Sequence, residues 1–197
     1  DWMKIMKTNY VVLSLIALRE GSHLIRIEIG LNPYLQKSDN NKILKEIMNK
    51  EQLYNTAKAM VQKGKGILAA DESTPTCTKR FDSIGIESTE INRNKYRDLL
   101  FTTFGMEEYI SGVILFDETL RQNTIQDGIP FVEYLKSKNV IPGIKVDMGA
   151  KPLALHSNEK VTGGLDGLSQ RLEEYYNLGA RFAKWRAVIK IGSGIPS

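Results

Sequence analysis

Cysteine and histidine, the residues that most often build disulfides and zinc sites, are almost absent from this chain of 197 residues. Cys77 is the only cysteine, so no disulfide can form within the chain and no CxxC metal motif exists. His23 and His156 are the only histidines and lie in unrelated segments, which leaves too few ligands for a zinc site. The sequence therefore predicts no metal and no cofactor. It also predicts that Cys77 is an inert packing or surface residue in a reducing compartment.

Long apolar runs and dense clusters of one charge are absent as well. Residues 11–18 form the longest apolar run near the N-terminus, which is too short to span a bilayer and continues into Arg19 and Glu20 rather than into a small-residue cleavage site. Basic residues outnumber acidic ones by 27 to 23, but they are spread along the chain and are not interleaved with aromatic residues. We expect no signal peptide, no membrane partner, no nucleic-acid partner and a cytoplasmic location. The positive charge fits an anionic small substrate.

The residues that are present give an ordinary globular composition, with 42% hydrophobic and 25% charged residues. This length suits one domain, although a closed eight-stranded barrel usually takes about 250 residues. Residues 1–47 show no regular strand and helix pattern and are interpreted as an N-terminal extension, whereas residues 48–197 are predicted to form the domain. We interpret the extension as a misplaced start or a fused upstream sequence. The alternative is a targeting or partner-binding arm.

From Met48 onward, short apolar segments alternate with helical patterns. A first helix is predicted from an N-cap at Asn49 to Gly64. Strands are predicted at 67–71, 112–116, 140–147 and 181–191, and further helices at 90–102 after a Thr89 cap, from Pro130 to residue 138, and from residue 165 to a left-handed cap at Gly179. Helical crossovers between strands imply a parallel sheet, so the predicted fold class is α/β. Periodicity alone leaves an open and a closed sheet both possible.

Three of the four predicted strands carry charges that a buried strand would normally lack. Alternation places Lys184 and Arg186 on one face of their strand, and Lys145 and Asp147 on one face of another. Asp71 lies at the carboxyl end of the first predicted strand. One explanation is a buried lattice of ion pairs between the two aspartates and the cations. The other, which we favour, is an active site, because α/β enzymes place their chemistry at the carboxyl ends of parallel strands.

The residue types in this set match the needs of sugar phosphate chemistry. Clustered lysines lower one another's pKa, which makes an amine available as a nucleophile or proton donor. Lysine and arginine also bind phosphate, and a neighbouring carboxylate can accept a proton from a substrate hydroxyl. The expected partner is therefore a phosphorylated sugar.

Several longer motifs resemble one known family, the class I fructose-bisphosphate aldolases. The matching segments are KGKGILAADEST, SGVILFDETL, GIKVDMGAKPL, GLDGL and GARFAKWRAVIKI, and the likeness runs from about Met48 to Ser197. The resemblance implies a (β/α)8 TIM barrel of which this chain holds about the first four β/α units. It also implies reversible cleavage of fructose 1,6-bisphosphate to dihydroxyacetone phosphate and glyceraldehyde 3-phosphate through a lysine Schiff base, in glycolysis and gluconeogenesis, by an enzyme that is commonly a tetramer.

The resemblance also implies roles for individual residues. Asp71 would be the carboxylate beside the scissile bond, Lys184 the amine that assists carbinolamine formation, and Lys145 a further member of their charged network. Substrate would be held by Arg186 and, near a phosphate, by Ser73, Lys79, Arg80 and Arg93. The Schiff-base lysine is expected beyond Ser197, so the chain alone is expected to be inactive. Alternatives are a non-catalytic half-barrel for binding or assembly, and a metal-dependent aldolase, for which the chain supplies too few ligands.

Overall fold

A parallel sheet of five strands forms the centre of the computed structural model, which describes residues 11–17 and 40–197. The strands lie in the order β1-β7-β4-β3-β2, and every neighbouring pair is parallel. Their bounds are β1 Val11–Ala17, β2 Gly66–Ala70, β3 Ile110–Leu115, β4 Ile141–Lys145 and β7 Phe182–Val188. The α/β class and the parallel sheet predicted from the alternation are confirmed, together with the four predicted strands.

Helices connect the strands, and most of them pack on one face of the sheet. They are α1 Asn40–Met60, α2 Thr74–Asp82, α3 Glu90–Thr102, α4 Met106–Tyr109, α5 Asp117–Leu120, α6 Phe131–Ser137 and α7 Leu168–Asn177. The prediction for α3 is confirmed to the residue, because the Thr89 hydroxyl accepts a hydrogen bond from the Asn92 N–H at 3.1 Å and so caps the helix. Gly179 has a φ of 106° two residues beyond α7, as predicted for a left-handed stop.

The two faces of the sheet carry different apolar clusters, as strand alternation requires. On the inner face, Phe182 packs with Ile114 and with Met60 at the end of α1. Gly112 and Gly143 leave room for the Phe182 ring, since a Cβ at either position would press against it. The outer face meets the helices in a larger core, which includes Val113, Leu115, Ile144, Ala183, Phe101, Leu135 and Leu172. The sheet is therefore covered by helices on the outside and closed by apolar side chains at the base of its inner face.

Several features differ from the sequence-based predictions. Strand β4 ends at Lys145 rather than at residue 147, so Asp147 lies after the strand and not on its face. Helix α1 begins at Asn40, so the predicted N-cap at Asn49 is wrong; residues 40–48 contain no Gly or Pro to stop a helix. The strand β1 lies within the segment expected to lack regular structure. Strand β7 ends at Val188 rather than at residue 191, because its partner β1 ends opposite Val188. An antiparallel hairpin, β5 Ala150–Leu153 with β6 His156–Thr162, was not predicted.

The predicted boundary between the extension and the domain, after residue 47, falls inside α1. The remainder of the predicted extension, residues 1–10 and 18–39, lies outside the described residues. Within the described residues, no helix combines the length and apolar character needed to cross a bilayer.

Candidate active site

Asp71 and Lys184 meet at the carboxyl end of the sheet. Asp71 follows directly after β2, and Lys184 projects from β7 on the face that also carries Phe182. The Lys184 ammonium donates a hydrogen bond to Asp71 Oδ2 at 2.7 Å, and the two side chains are only 13% and 10% exposed. The sequence placed these residues on different strands, and the structure brings them into one ion pair.

This contact requires the sheet to curve. Strands β3 and β4 lie between β2 and β7, so a flat sheet with a strand spacing of about 4.8 Å would hold Asp71 and Lys184 about 14 Å apart. An aspartate and a lysine side chain together cannot span that distance. The edges of the four-strand unit therefore curl toward each other, as the strands of a closing barrel do.

A second ion pair lies beside the first one. Lys145 is the last residue of β4 and is the register partner of Lys184. Its ammonium donates hydrogen bonds to Asp147 Oδ1 at 2.5 Å and to the Asp147 carbonyl oxygen at 2.6 Å. Asp147 Oδ2 in turn accepts a hydrogen bond from the Arg186 N–H at 3.2 Å. Asp147 therefore joins the Lys145 side chain to the backbone of β7 at Arg186, a positioning function that was not predicted for it.

The pairing seen here agrees with both interpretations that the sequence left open. Each aspartate is matched with one lysine, as an ion-pair lattice would require. However, both pairs lie level with the carboxyl ends of β2 and β4, and the side chains of Lys145 and Lys184 remain 16% and 13% exposed. Lysine ammonium groups that are held by carboxylates and still reach solvent can exchange protons with a bound substrate.

Glu72, next to Asp71, anchors a cluster that the sequence reasoning missed. Its carboxylate accepts charge-assisted hydrogen bonds from Arg97 and Arg80, and its carbonyl oxygen accepts another from Arg97 Nη2 at 2.8 Å. The Tyr96 hydroxyl donates to the same carboxylate at 3.2 Å. Arg97 is 2% exposed although it lies on a helix, where an arginine is normally solvated. The sequence carries no clear signal for this cluster, because Arg97 contacts Glu72 only through the tertiary fold.

The same cluster changes the protonation of its members. Burial by itself would raise the pKa of the Glu72 carboxyl, but its backbone hydrogen bond and the charges of Arg97 and Arg80 outweigh burial and lower that pKa. Burial, reinforced by the negative Glu72, raises the pKa of the Tyr96 hydroxyl. Burial also raises the pKa of the Cys77 thiol, as expected for an inert buried cysteine.

The residues predicted to lie near a substrate phosphate occupy the segment from β2 to α3. Ser73 lies at the start of α2, and its hydroxyl is 3.2 Å from the Thr76 hydroxyl. Arg93 donates two hydrogen bonds to the Glu118 carboxylate at 2.8 and 2.6 Å, and Arg80 binds Glu72. Lys79 is exposed on α2. The structure thus gives Arg80 and Arg93 carboxylate partners, while no ion pair of Lys79 occurs within the described residues.

Arg186 and the hairpin complete one side of the candidate site. The Arg186 side chain is exposed, and its carbonyl oxygen accepts a hydrogen bond from the Thr162 hydroxyl at 2.7 Å. Arg171 on α7 donates to the carbonyl oxygens of Val146 and Gly164 at 3.0 and 2.5 Å, which fastens the hairpin to the end of β4. Nowhere in residues 40–197 do three His, Cys, Asp or Glu side chains come together as metal ligands.

Comparison with known proteins gives consistent results. The family model of the glycolytic class-I fructose-bisphosphate aldolases matches residues 52–197. A probable fructose-bisphosphate aldolase class 1 of Xanthomonas axonopodis pv. citri is 65% identical over 150 residues, which are 76% of this chain and 45% of that protein. Fructose-bisphosphate aldolase 1 of Toxoplasma gondii is 59% identical over 141 residues, 72% of this chain and 39% of that protein.

A solved structure supports the same relationship at the level of the fold. The fructose-bisphosphate aldolase of Plasmodium falciparum, determined in complex with TRAP and a small-molecule inhibitor, superimposes with a TM-score of 0.71 at 55% identity, covering 75% of this chain and 43% of that one. The chain thus spans less than half the length of these relatives.

Proposed function

The chain belongs to the class-I fructose-bisphosphate aldolase family, and we propose that residues 48–197 supply the first four β/α units of an enzyme that cleaves fructose 1,6-bisphosphate reversibly to dihydroxyacetone phosphate and glyceraldehyde 3-phosphate. The observation that carries this proposal is the Lys184–Asp71 pair of 2.7 Å, in which Asp71 follows the carboxyl end of β2 and Lys184 lies level with the last residue of β4. A carboxylate and an ammonium in contact can move protons to and from a substrate hydroxyl and a carbinolamine.

The proposed roles follow from what each group can donate or accept. Asp71 accepts a proton from the substrate hydroxyl next to the bond that breaks, and Lys184 assists the proton transfers by which an amine and a ketone form an imine. Lys145, the register partner of Lys184, contributes a second positive charge to the site and is held in place by Asp147. The imine-forming lysine itself is expected on a later strand of the barrel, outside residues 48–197.

Phosphate binding divides the predicted residues into two groups. Lys79 is exposed and has no carboxylate partner within the described residues, so it is the cation best placed to bind a phosphate without breaking an existing pair. Arg93 already engages Nε, Nη1 and Nη2 with Glu118 and Ser88, whereas Arg80 binds Glu72 through Nη1 alone and keeps other N–H groups for a phosphate. Ser73 offers a hydroxyl at the start of α2, and Arg186 offers an exposed guanidinium at the end of β7.

A chimera tests the proposal directly. Residues 52–197 replace the matching segment of the Plasmodium falciparum aldolase, whose own activity serves as the positive control. We expect the chimera to cleave fructose 1,6-bisphosphate, and we expect Lys184→Met to lower its kcat by about 100-fold or more, with a much smaller change in KM. Lys190→Met, at an exposed position beyond β7, is the matched control and should leave kcat unchanged. A folded but inactive chimera would contradict the proposal.

One observation favours a second candidate, a non-catalytic half-barrel for binding or assembly. Strand β1 pairs in parallel along β7 over all seven of its residues, at the edge where the next strand of a closed barrel would otherwise add. The position where a following barrel strand would pair with β7 is thus occupied by β1 of the same chain. The intact mass of the protein from its native source separates the two candidates: an enzyme would exceed the 22.2 kDa of this chain, and a half-barrel module would not.

The proposal also covers the location, the oligomeric state and the activity of the isolated chain. We propose a cytoplasmic enzyme that assembles as a homo-oligomer, a tetramer by resemblance to its family, and that the isolated 197-residue chain has no aldolase activity. Analytical sedimentation of the native protein measures the number of subunits in the assembly.

A further inference from the structure

Strand β1 covers one whole edge of β7, which comes last along the chain among the strands of the sheet. The two strands run parallel and pair over all seven residues of each, from Val11 opposite Phe182 to Ala17 opposite Val188. On the other edge of β7, the ladder with β4 includes only residues 182–184. Both edges of β7 thus have a strand partner, and among the described residues 185–188 pair with β1 alone.

Strand β1 is not one of the barrel strands that this chain shares with its relatives. It lies at residues 11–17, whereas the family model matches residues 52–197. Strands β2, β3, β4 and β7 lie side by side in chain order, so the next strand of a (β/α)8 barrel, here called the fifth strand, pairs with the edge of β7 that β1 covers. That edge offers one row of N–H and C=O groups, so β1 and the fifth strand cannot pair with it at the same time.

Strand β1 brings no charged group in place of the strand that it excludes. Its sequence, VVLSLIA, is apolar apart from one serine, as is typical of a strand inside a parallel sheet, and it has none of the lysines or prolines that protect edge strands. In register, Leu13 lies opposite Lys184 and Leu15 opposite Arg186. The imine-forming lysine of the proposed function therefore cannot come from β1, and a barrel held open by β1 keeps the later strands away from Lys184.

We propose that β1 is an autoinhibitory strand, which holds the edge of β7 that the fifth strand needs, so that the barrel closes only when β1 is released. This inference rests on the proposed function, because it requires the later strands of an aldolase barrel. The Lys184–Asp71 pair is in contact while β1 is bound. The inhibition therefore acts on the closure of the barrel and not on the pairing of these two residues.

Hydrogen exchange in the full 197-residue chain tests the pairing of β1 with β7. The Arg186 N–H donates to Asp147 on the side of β4, so strand alternation directs the N–H groups of Trp185 and Ala187 toward β1. We expect these two N–H groups to exchange slowly in the wild type. The variant Leu13→Pro/Ser14→Pro removes two consecutive N–H groups of β1, one of which faces β7 in either alternation.

In this variant the N–H groups of Trp185 and Ala187 should exchange at least about tenfold faster, because they lose their acceptors on β1. The N–H of Val113 in the centre of the sheet should keep its slow exchange and shows that the chain remains folded. The control Lys4→Pro/Ile5→Pro lies ahead of β1 and should change neither rate. Fast exchange of Trp185 and Ala187 in the wild type, or unchanged rates in the β1 variant, would overturn the proposal.

Two chimeras test the inhibition itself. One is the Plasmodium aldolase with residues 52–197 in the matching segment, and the other carries residues 1–197 in place of that segment and everything before it. The longer chimera should have a kcat/KM at least about fivefold lower, because only molecules with a released β1 are competent to bind substrate. Leu13→Pro/Ser14→Pro should restore its kcat/KM to within about twofold of the shorter chimera, and Lys4→Pro/Ile5→Pro should not.

Equal kcat/KM values of the two chimeras would overturn the proposal, and so would a low value that the β1 variant does not restore. An inactive shorter chimera would contradict the proposed function instead. The exchange rates of Trp185 and Ala187 in the 197-residue chain do not depend on that outcome, so the two failures are distinguishable.

Discussion

Glu72 binds two arginines that differ in burial, and this difference makes their contributions separable. The side chain of Arg97 is 2% exposed and that of Arg80 is 55% exposed. We expect Arg97→Met to lower the free energy of unfolding by about 3–5 kcal/mol, because it leaves a buried carboxylate short of its main partner. Arg80→Met should cost less than about 1 kcal/mol, as for other exposed ion pairs. Urea denaturation measures the free energy of unfolding of both variants. Equal losses in the two variants would contradict the difference expected from burial.

The lowered pKa of Glu72 predicts how stability changes with pH. The folded protein keeps this carboxylate ionised at a pH where the unfolded chain, with an ordinary glutamate pKa of about 4.3, already binds a proton. The stabilisation is therefore present above that pH and is lost as the pH falls through the lower folded pKa. In Glu72→Gln, stability should decline less steeply below about pH 4.3 than in the wild type. Glu87→Gln, an exposed control, should follow the wild-type curve.

At the residue scale, the sequence indicated site residues where a charged side chain interrupts an apolar strand. Asp71, Lys145 and Lys184 stood out because a strand buried on both faces does not normally contain them, and the structure places all three at one end of the sheet. Arg97 could not be found in this way, since a helix has an exposed face on which an arginine is unremarkable. Its burial results from contacts with Glu72 and Thr119, which are distant in sequence.

At the scale of the elements, the inner face of the sheet depends on two glycines that make room for one ring. A Cβ on Gly143 would overlap the Phe182 ring, whereas a Cβ on Gly66 in β2 would meet nothing within 4 Å. We expect Gly143→Ala to destabilise the fold by about 1–3 kcal/mol through overpacking. Gly66→Ala should be neutral or slightly stabilising. Thermal unfolding of both variants measures the difference, and a neutral Gly143→Ala would mean that Phe182 does not fill the base of the barrel.

The elements that the sequence predicted well are those with strong local signals. Helix α3 has a threonine cap and a clear periodicity, and the four main strands are short apolar runs. The hairpin β5–β6 was missed because its segment is polar and mostly exposed, so alternation had no apolar face to reveal. The strand β1 was missed because its apolar run becomes a strand only by pairing with β7, far away in sequence.

At the scale of the whole molecule, the chain contains one side of a barrel. The curl of the sheet brings Asp71 to Lys184, and β2, β3, β4 and β7 lie side by side in their order along the chain, with the hairpin β5–β6 outside this sheet. The matched relatives are more than twice as long as the segment they share with this chain, since the segment covers 45% of the Xanthomonas protein. The charged groups described here are therefore proposed to act on an imine whose lysine belongs to a later part of the barrel.

Trapping that imine by reduction identifies the lysine that forms it. The Plasmodium chimera carrying residues 52–197 is mixed with dihydroxyacetone phosphate, reduced with borohydride, and digested for mass spectrometry, with an unreduced sample as the control. We expect one labelled lysine, located outside residues 52–197, and no label on the isolated 197-residue chain. A label on Lys184 or Lys145 would contradict the proposed roles, because the labelled lysine would then be the nucleophile and not a group that assists it.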